Sequence, residues 1–160
     1  MTLDDVDLQH LRTSIRVAAE TRAAGAHPFG ALVVDRTGAV VAVCGNNSLP
    51  PHGDPTQHAE LRAVAAAARE LGADGMVGST LYTSAEPCAM CAGAAYWTGI
   101  DRVVYALSEH RLLELTGDHP ENPTFSLPCR EVFARGQRRI EVVGPAIEDE
   151  AAAPHEGFWV

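Results

Sequence analysis

Two short motifs bring together side chains that could do chemistry. The first is His58-Ala59-Glu60, and the second, thirty positions on, is Pro87-Cys88-Ala89-Met90-Cys91. Cys88 and Cys91 stand three apart, so on a helix their sulfurs share a face. A helix N-terminus favours negative charge, which lowers the thiol pKa and supports thiolates. His58 adds a nitrogen donor. Three protein ligands leave the fourth tetrahedral position open, the arrangement a catalytic zinc ion (Zn2+) requires. Glu60 follows His58 by two, and residues two apart on a helix do not face each other. Both reach one site only if that site lies off the end of the helix. Two thiolates cancel the charge of the metal, so a water held there is less acidic than at an all-histidine centre. A neighbouring carboxylate must then take its proton and pass protons on. These parts suit attack on an amidine-like ring carbon with loss of ammonia.

Blander readings use the same residues. A lone CxxC also serves as a redox pair, but that accounts for neither the His-x-Glu nor the proline before the first cysteine. A closed structural zinc site needs a fourth ligand; Cys44, Cys129 and His52 are nominal candidates, and none sits in a second paired motif. Glu60 could be a solvated helix charge. Cys44 reads as a buried strand residue and Cys129 as inert. Arg130, Arg135, Arg138 and Arg139 form a basic cluster that reads as solvated surface.

The elements that would carry these motifs follow from periodicity. Leu8, Leu11, Ile15, Ala18 and Ala19 recur at helical spacing, which predicts a helix from about Asp4 to Ala24, stopped by Gly25. Ala31 to Val34 and Val40 to Cys44, joined by Asp35-Arg36-Thr37-Gly38, predict a hairpin. After a loop over Asn46 to Pro55, Asp54-Pro55 resembles an N-cap with proline at the first helical position, opening an alanine-rich helix to about Leu71. Ser79 to Ser84 reads as a strand, Pro87 to Trp97 as a helix and Val103 to Ala106 as a strand. A short helix near Glu109 to Leu115, a proline-broken loop, a last strand over Arg139 to Val143 and an acidic helix from Glu148 complete the pattern. Strands alternating with helices predict an α/β layered domain, with a mixed sheet because of the opening hairpin.

Composition bounds the rest. At 160 residues the chain matches one domain, residues 1–160. Its net charge is −9, and all twelve basic residues are arginine, so contact with a nucleic-acid backbone is disfavoured. The acidic start does not resemble a signal peptide, and no apolar run is long enough to span a membrane. Four cysteines without a disulfide-like framework fit a reducing compartment, and a cytoplasmic protein is expected.

Together these residues resemble the cytidine-deaminase-like superfamily, in its guanine deaminase and nucleoside deaminase branch, related to tRNA adenosine deaminases. The H-x-E…P-C-x-x-C pattern is the signature of zinc deaminases. The resemblance extends through His27-Pro28-Phe29-Gly30-Ala31, Gly45-Asn46-Asn47, Asp54 to Glu60 and Leu81 to Ala94, and Tyr96-Trp97 looks like the guanine deaminase version. It implies a three-layer α/β/α sandwich around a five-stranded mixed sheet. It also implies His58, Cys88 and Cys91 as zinc ligands, Glu60 as proton shuttle, Asn46 as a base-binding amide, and Phe29 and Trp97 as aromatics around the pocket, with Ala59 among the substrate contacts. A further family aspartate falls, counted from Cys91, on His119; residue type favours Asp118 beside it. The family's C-terminal pocket tyrosine has no counterpart in Gly157-Phe158-Trp159-Val160. The implied substrate is a free base or nucleoside, guanine or a related purine first, with cytosine, cytidine or a triazine as the alternative and adenosine in tRNA behind them.

The tail, about residues 148–160, carries Phe158 and Trp159 at a terminus that would otherwise fray. They could staple their own core. They could also form a lid that excludes water from a pocket. In the family resembled, this segment crosses to a partner subunit. A homodimer whose Glu156, Phe158 and Trp159 contact a catalytic pocket, the partner's in a swapped arrangement, is the expectation.

Overall fold

The computed structural model describes residues 3–160. The chain opens with α1 (Asp5–Ala23), followed by the hairpin β1 (Gly30–Val34) and β2 (Val40–Gly45), then α2 (Ala59–Met76), β3 (Thr80–Ala85), α3 (Ala89–Thr98) and β4 (Arg102–Leu107). The remainder is α4 (Glu109–Thr116), α5 (Cys129–Ala134), β5 (Glu141–Val143), α6 (Glu148–Ala152) and one 3-10 turn. The five strands form one mixed sheet in the order β2-β1-β3-β4-β5. β1 runs antiparallel to both β2 and β3, while β3, β4 and β5 are parallel.

Strand alternation divides the core into two layers. Ala31, Val33, Leu81, Val103 and Tyr105 point to the face covered by Ala63, Val64 and Ala67 of α2, Ala92 and Ala95 of α3 and Phe133 of α5. Leu32, Val34, Tyr82, Val104 and Ala106 point to the other, under Leu11 of α1, Leu112 of α4 and Ala151 and Ala152 of α6. This is the expected three-layer α/β/α sandwich. Alanine on the inner faces of α2 and α3 lets both helices sit close to the sheet. Gly30 does the same for α1, since a Cβ there would run into the backbone of Ser14 and Ala18.

The acidic N-terminal turn is structural. Asp4 and Asp7 form a reciprocal capping box at the start of α1. Asp7, nearly buried, also accepts two hydrogen bonds from Arg102 at 2.6 and 2.9 Å and one from Tyr82 Oη at 2.8 Å. The Arg102 hydrogen bonds, set against burial, hold its pKa at about 2. This fastens α1 to β3 and β4.

Several boundaries differ from expectation. Asp54 does not cap α2. Its Oδ1 accepts from the Thr56 N–H at 2.8 Å and its Oδ2 from Gln57 Nε2 at 3.1 Å, a local turn that competes with helix. The helix starts four residues later, with His58 at the cap position, and continues past Leu71 through a kink at Gly72 to Met76. α3 begins at Ala89 rather than at Pro87. α5 follows directly on the proline-broken loop, after Pro128, in a stretch to which the sequence assigns no element. The basic cluster is partly internal bracing. Arg138 donates to the carbonyls of Ile100 and Tyr96 and pairs with Asp101, and Arg130 donates to Tyr105 Oη and the Gly144 carbonyl. Cys44 lies on the edge strand β2 and is half-buried rather than buried, whereas Cys129 is fully buried. No described helix is long and apolar enough to cross a membrane.

Candidate active site

Because α2 starts at the residue after His58 and α3 at the residue after Cys88, both helices aim their N-termini at one point. The donor atoms of His58, Cys88 and Cys91 all lie within 4.8 Å of one another. His58 Nδ1 is 3.7 Å from Cys88 Sγ. Hydrogen bonding from Cys91 and from His58 draws the Cys88 thiol down to about 4 despite burial. Cys91 is pushed up, first by its bond to Cys88 and then by burial. One imidazole and two sulfurs at two converging helix N-termini fit zinc by donor type and by field.

Glu60 is buried beside this cluster, its Oε2 3.9 Å from Cys91 Sγ. Burial raises its pKa to about 7, which suits a group that both takes and gives protons near neutrality. His58, Glu60 and Cys88 line a cavity of about 620 Å³, within the range of small-molecule sites. Phe29, Leu49, Pro120 and Phe125 supply apolar wall.

Asn46 lines the same cavity and is nearly buried. Its Oδ1 accepts from the Ser48 N–H at 3.0 Å and from Ser48 Oγ at 2.8 Å. A backbone N–H can only donate, so the amide oxygen must face Ser48. The Nδ2 end is therefore the one turned from the loop, available as a donor to an acceptor atom on a ring.

The remaining expected residues divide. Phe29 lines the cavity, and Ala59 is buried in the core between His58 and Glu60 without lining it. Trp97 is 85% exposed on α3 and takes no part in the cavity. Asp118 is exposed and does not reach it either. Gly117, at φ 54°, ends α4, and the turn that follows leaves Asp118 outside and brings Glu121 to the cavity. Glu156 is exposed. Phe158 and Trp159 pack one layer behind the cavity, on their own chain, against residues that line it.

Four ionisable cavity residues are not assigned a role by the sequence: His27, Glu86, Glu109 and Glu121. Glu109, the first residue of α4, is buried, and desolvation raises its pKa to about 8. Its N–H donates to Glu86 Oε2, while Glu86 Oε1 accepts from the Cys129 N–H, both at 3.0 Å. One buried carboxylate thus staples the starts of α4 and α5 beside the cysteine helix.

Residues 4–107 match the family model for the cytidine and deoxycytidylate deaminase zinc-binding region. The chain belongs to this family. It is 45% identical to the "Probable cytosine deaminase" of Schizosaccharomyces pombe over 157 residues, covering 98% of this chain and 94% of the relative. It is 44% identical to the guanine deaminase of Bacillus subtilis over 101 residues, 62% of this chain and 63% of the relative. The solved guanine deaminase from Nitrosomonas europaea superposes with a TM-score of 0.78 at 28% identity, covering 99% of this chain and 86% of that one. The protein is thus a zinc-dependent deaminase with the cytidine-deaminase fold.

Proposed function

We propose that this deaminase acts on a free nucleobase or its nucleoside, guanine or a close purine first. The observation that carries this reading is the buried Glu60 carboxylate beside the His58, Cys88 and Cys91 donor set, at a cavity with one fixed amide donor. His58, Cys88 and Cys91 would hold a zinc ion, which would make a water available as nucleophile near neutral pH. Glu60 accepts one proton from the water and passes it to the ring nitrogen, then takes the proton of the added hydroxyl and delivers it to the departing amine. Water adds across the amidine, the carbon–nitrogen bond to the exocyclic amine breaks, and ammonia leaves with a ring carbonyl in its place. Asn46 Nδ2 donates to an acceptor on the ring and fixes its register. The apolar wall excludes bulk water, which strengthens each of these contacts.

A cavity of about 620 Å³ has room for a fused bicyclic ring as well as for a single ring. Cytosine is the second reading. The S. pombe relative matches 98% of the chain, against 62% for the B. subtilis relative. Adenosine in tRNA is disfavoured by the net charge of −9.

The same reading includes a homodimer, supported by the face of α3 where Trp97 and Met90, seven residues apart, are both exposed. Four unpaired thiols support a cytoplasmic setting. Ammonia release from guanine, guanosine, cytosine, cytidine, adenine and an aminotriazine tests the assignment. Turnover of guanine well above the others supports the first reading and turnover of cytosine the second. Ammonia from none of them overturns both.

A further inference from the structure

His27 is nearly buried at the rim of the cavity, between two loops that no regular element joins. Its Nε2 lies 2.8 Å from Glu121 Oε2, on the loop between α4 and α5. Its Nδ1 faces Ser48 Oγ at 3.4 Å, and that hydroxyl donates to Asn46 Oδ1 at 2.8 Å. The imidazole is held from behind by the tail, edge-on to Trp159 at 5.1 Å and to Phe158 at 5.9 Å between ring centroids. Glu121, which it bonds, and Asn46, which Ser48 holds, both line the cavity that holds Glu60.

The energetics of the two groups differ. The Asn46 amide is already fixed by the Ser48 backbone. The Glu121 side chain is 53% exposed on a loop without regular structure, and a carboxylate there would sample many rotamers. A single charge-assisted hydrogen bond from a buried, aromatic-packed imidazole selects one of them. With Glu121 so held, the cavity presents a fixed acceptor and a fixed donor, the pair needed to read a ring edge carrying one N–H and one lone pair.

We propose that His27 is a positioning residue for substrate recognition: it donates from Nε2 to the Glu121 carboxylate and holds it in the cavity as an acceptor for a ring or amino N–H, beside the Asn46 donor that Ser48 fixes. The proposal rests on the nucleobase reading above. It expects the contact to act on binding more than on chemistry, because Glu60 and the zinc ligands are untouched.

The test uses zinc-loaded full-length protein and whichever of guanine or cytosine releases ammonia. His27→Phe keeps the ring that Trp159 packs on and removes the hydrogen bond; Glu121→Ala removes the other partner at an exposed position. Each is expected to lower kcat/KM by ten- to a hundredfold, chiefly through KM, with zinc retained. The double variant is expected to lose no more than either alone, since the two act as one unit. His27→Gln, which restores a donor near the Nε2 position, is expected to recover most of the loss. Parental kcat/KM in His27→Phe, or losses that multiply in the double variant, would overturn the proposal. An activity-independent readout separates it from the nucleobase reading. In protein labelled with 15N at histidine, the His27 Nε2 proton should be shielded from solvent exchange and observable, and it should vanish in Glu121→Ala with the rest of the spectrum unchanged. If no base is deaminated, the functional reading fails, and the presence or absence of that signal still decides whether His27 holds Glu121.

Discussion

The Glu60 carboxylate stands 3.9 Å from the Cys91 sulfur, buried, at the first turn of a helix whose cap residue is His58. A carboxylate in that position reaches the metal site without completing the ligand set of one imidazole and two thiols. Glu60→Gln is therefore expected to keep zinc and fold while turnover falls by at least the roughly 10²–10⁴-fold of a single general acid–base step. Metal analysis and ammonia release on the same sample check it. A zinc-loaded variant within tenfold of the parent would show that Glu60 is a bystander.

The donor set makes its own prediction. Purified protein should hold about one zinc per chain. Replacing His58, Cys88 or Cys91 by alanine should lower metal content and ammonia release together. Chelation should abolish activity and added zinc restore it. If Cys88 and Cys91 instead cycle through a reversible disulfide while activity survives metal removal, the pair is a redox device.

His155 and Asp7 should each cost stability in acid, in two separable windows, while the buried Glu60 and Glu109, with pKa values raised to about 7 and about 8, act in the opposite sense as pH falls toward 4.5. His155 is buried and its folded pKa is depressed by burial to about 4, against 6.5 for the free side chain. Above 6.5 neither state carries the proton and the group contributes nothing to pH dependence. Below 6.5 the unfolded chain takes up a proton that the folded chain refuses, so stability is lost as pH falls toward 4, by about 3 kcal/mol at most. Asp7 is the opposite type. Its folded pKa of about 2 lies below the ordinary 3.8, so its contribution is present above 3.8 and lost as pH falls toward 2, a matter of about 2 kcal/mol. Thermal unfolding from pH 7 to 2 should show both. His155→Phe should flatten the upper window and Asp7→Asn the lower one; an unchanged profile in either variant would remove that residue from the account.

Much of this was legible because the chemistry is local. The His58 to Glu60 and Pro87 to Cys91 motifs carry their own spacing, and alternation along Ala31–Val34 and Val103–Ala106 shows which side chains face which layer. What stayed hidden depends on distant partners. Nothing near Asp7 in sequence announces Arg102, ninety-five residues on. Glu109 reads as an ordinary acidic first-turn residue, yet it is buried with its N–H on Glu86, twenty-three residues back. Residue type favours Asp118, and the turn after Gly117 leaves that side chain exposed while Glu121 lines the cavity. Trp97 matched an aromatic pocket position in the family pattern, yet α3 turns it outward.

The tail offers the sharpest test of how the pocket is completed. Arg22 donates to the carbonyls of Pro154 and Glu156 at 2.8 and 2.6 Å, which ties the segment to α1 of its own chain. Trp159 Nε1 donates to His155 Nδ1 at 3.0 Å, and the indole then rests on His27 at 5.1 Å and Phe29 at 6.2 Å between centroids. The aromatics thus brace the cavity wall from behind. Ending the chain after Ala153 removes His155 and Trp159 together, and Trp159→Ala alone removes a nearly buried indole, a change that costs about 3–5 kcal/mol in a core. Both are expected to retain zinc and to lose most of kcat/KM, the truncation more severely. Trp159→Phe, which keeps a ring and loses one hydrogen bond, should be milder. Whether the brace is supplied within a chain can be read by mixing. A truncated chain with intact Glu60 is refolded with a full-length Glu60→Gln chain, so that only a tail crossing between subunits could complete a pocket with a working shuttle. The intrachain packing predicts no recovery of ammonia release. Recovery well above either parent variant would show that the tail serves the partner's pocket in the assembled protein.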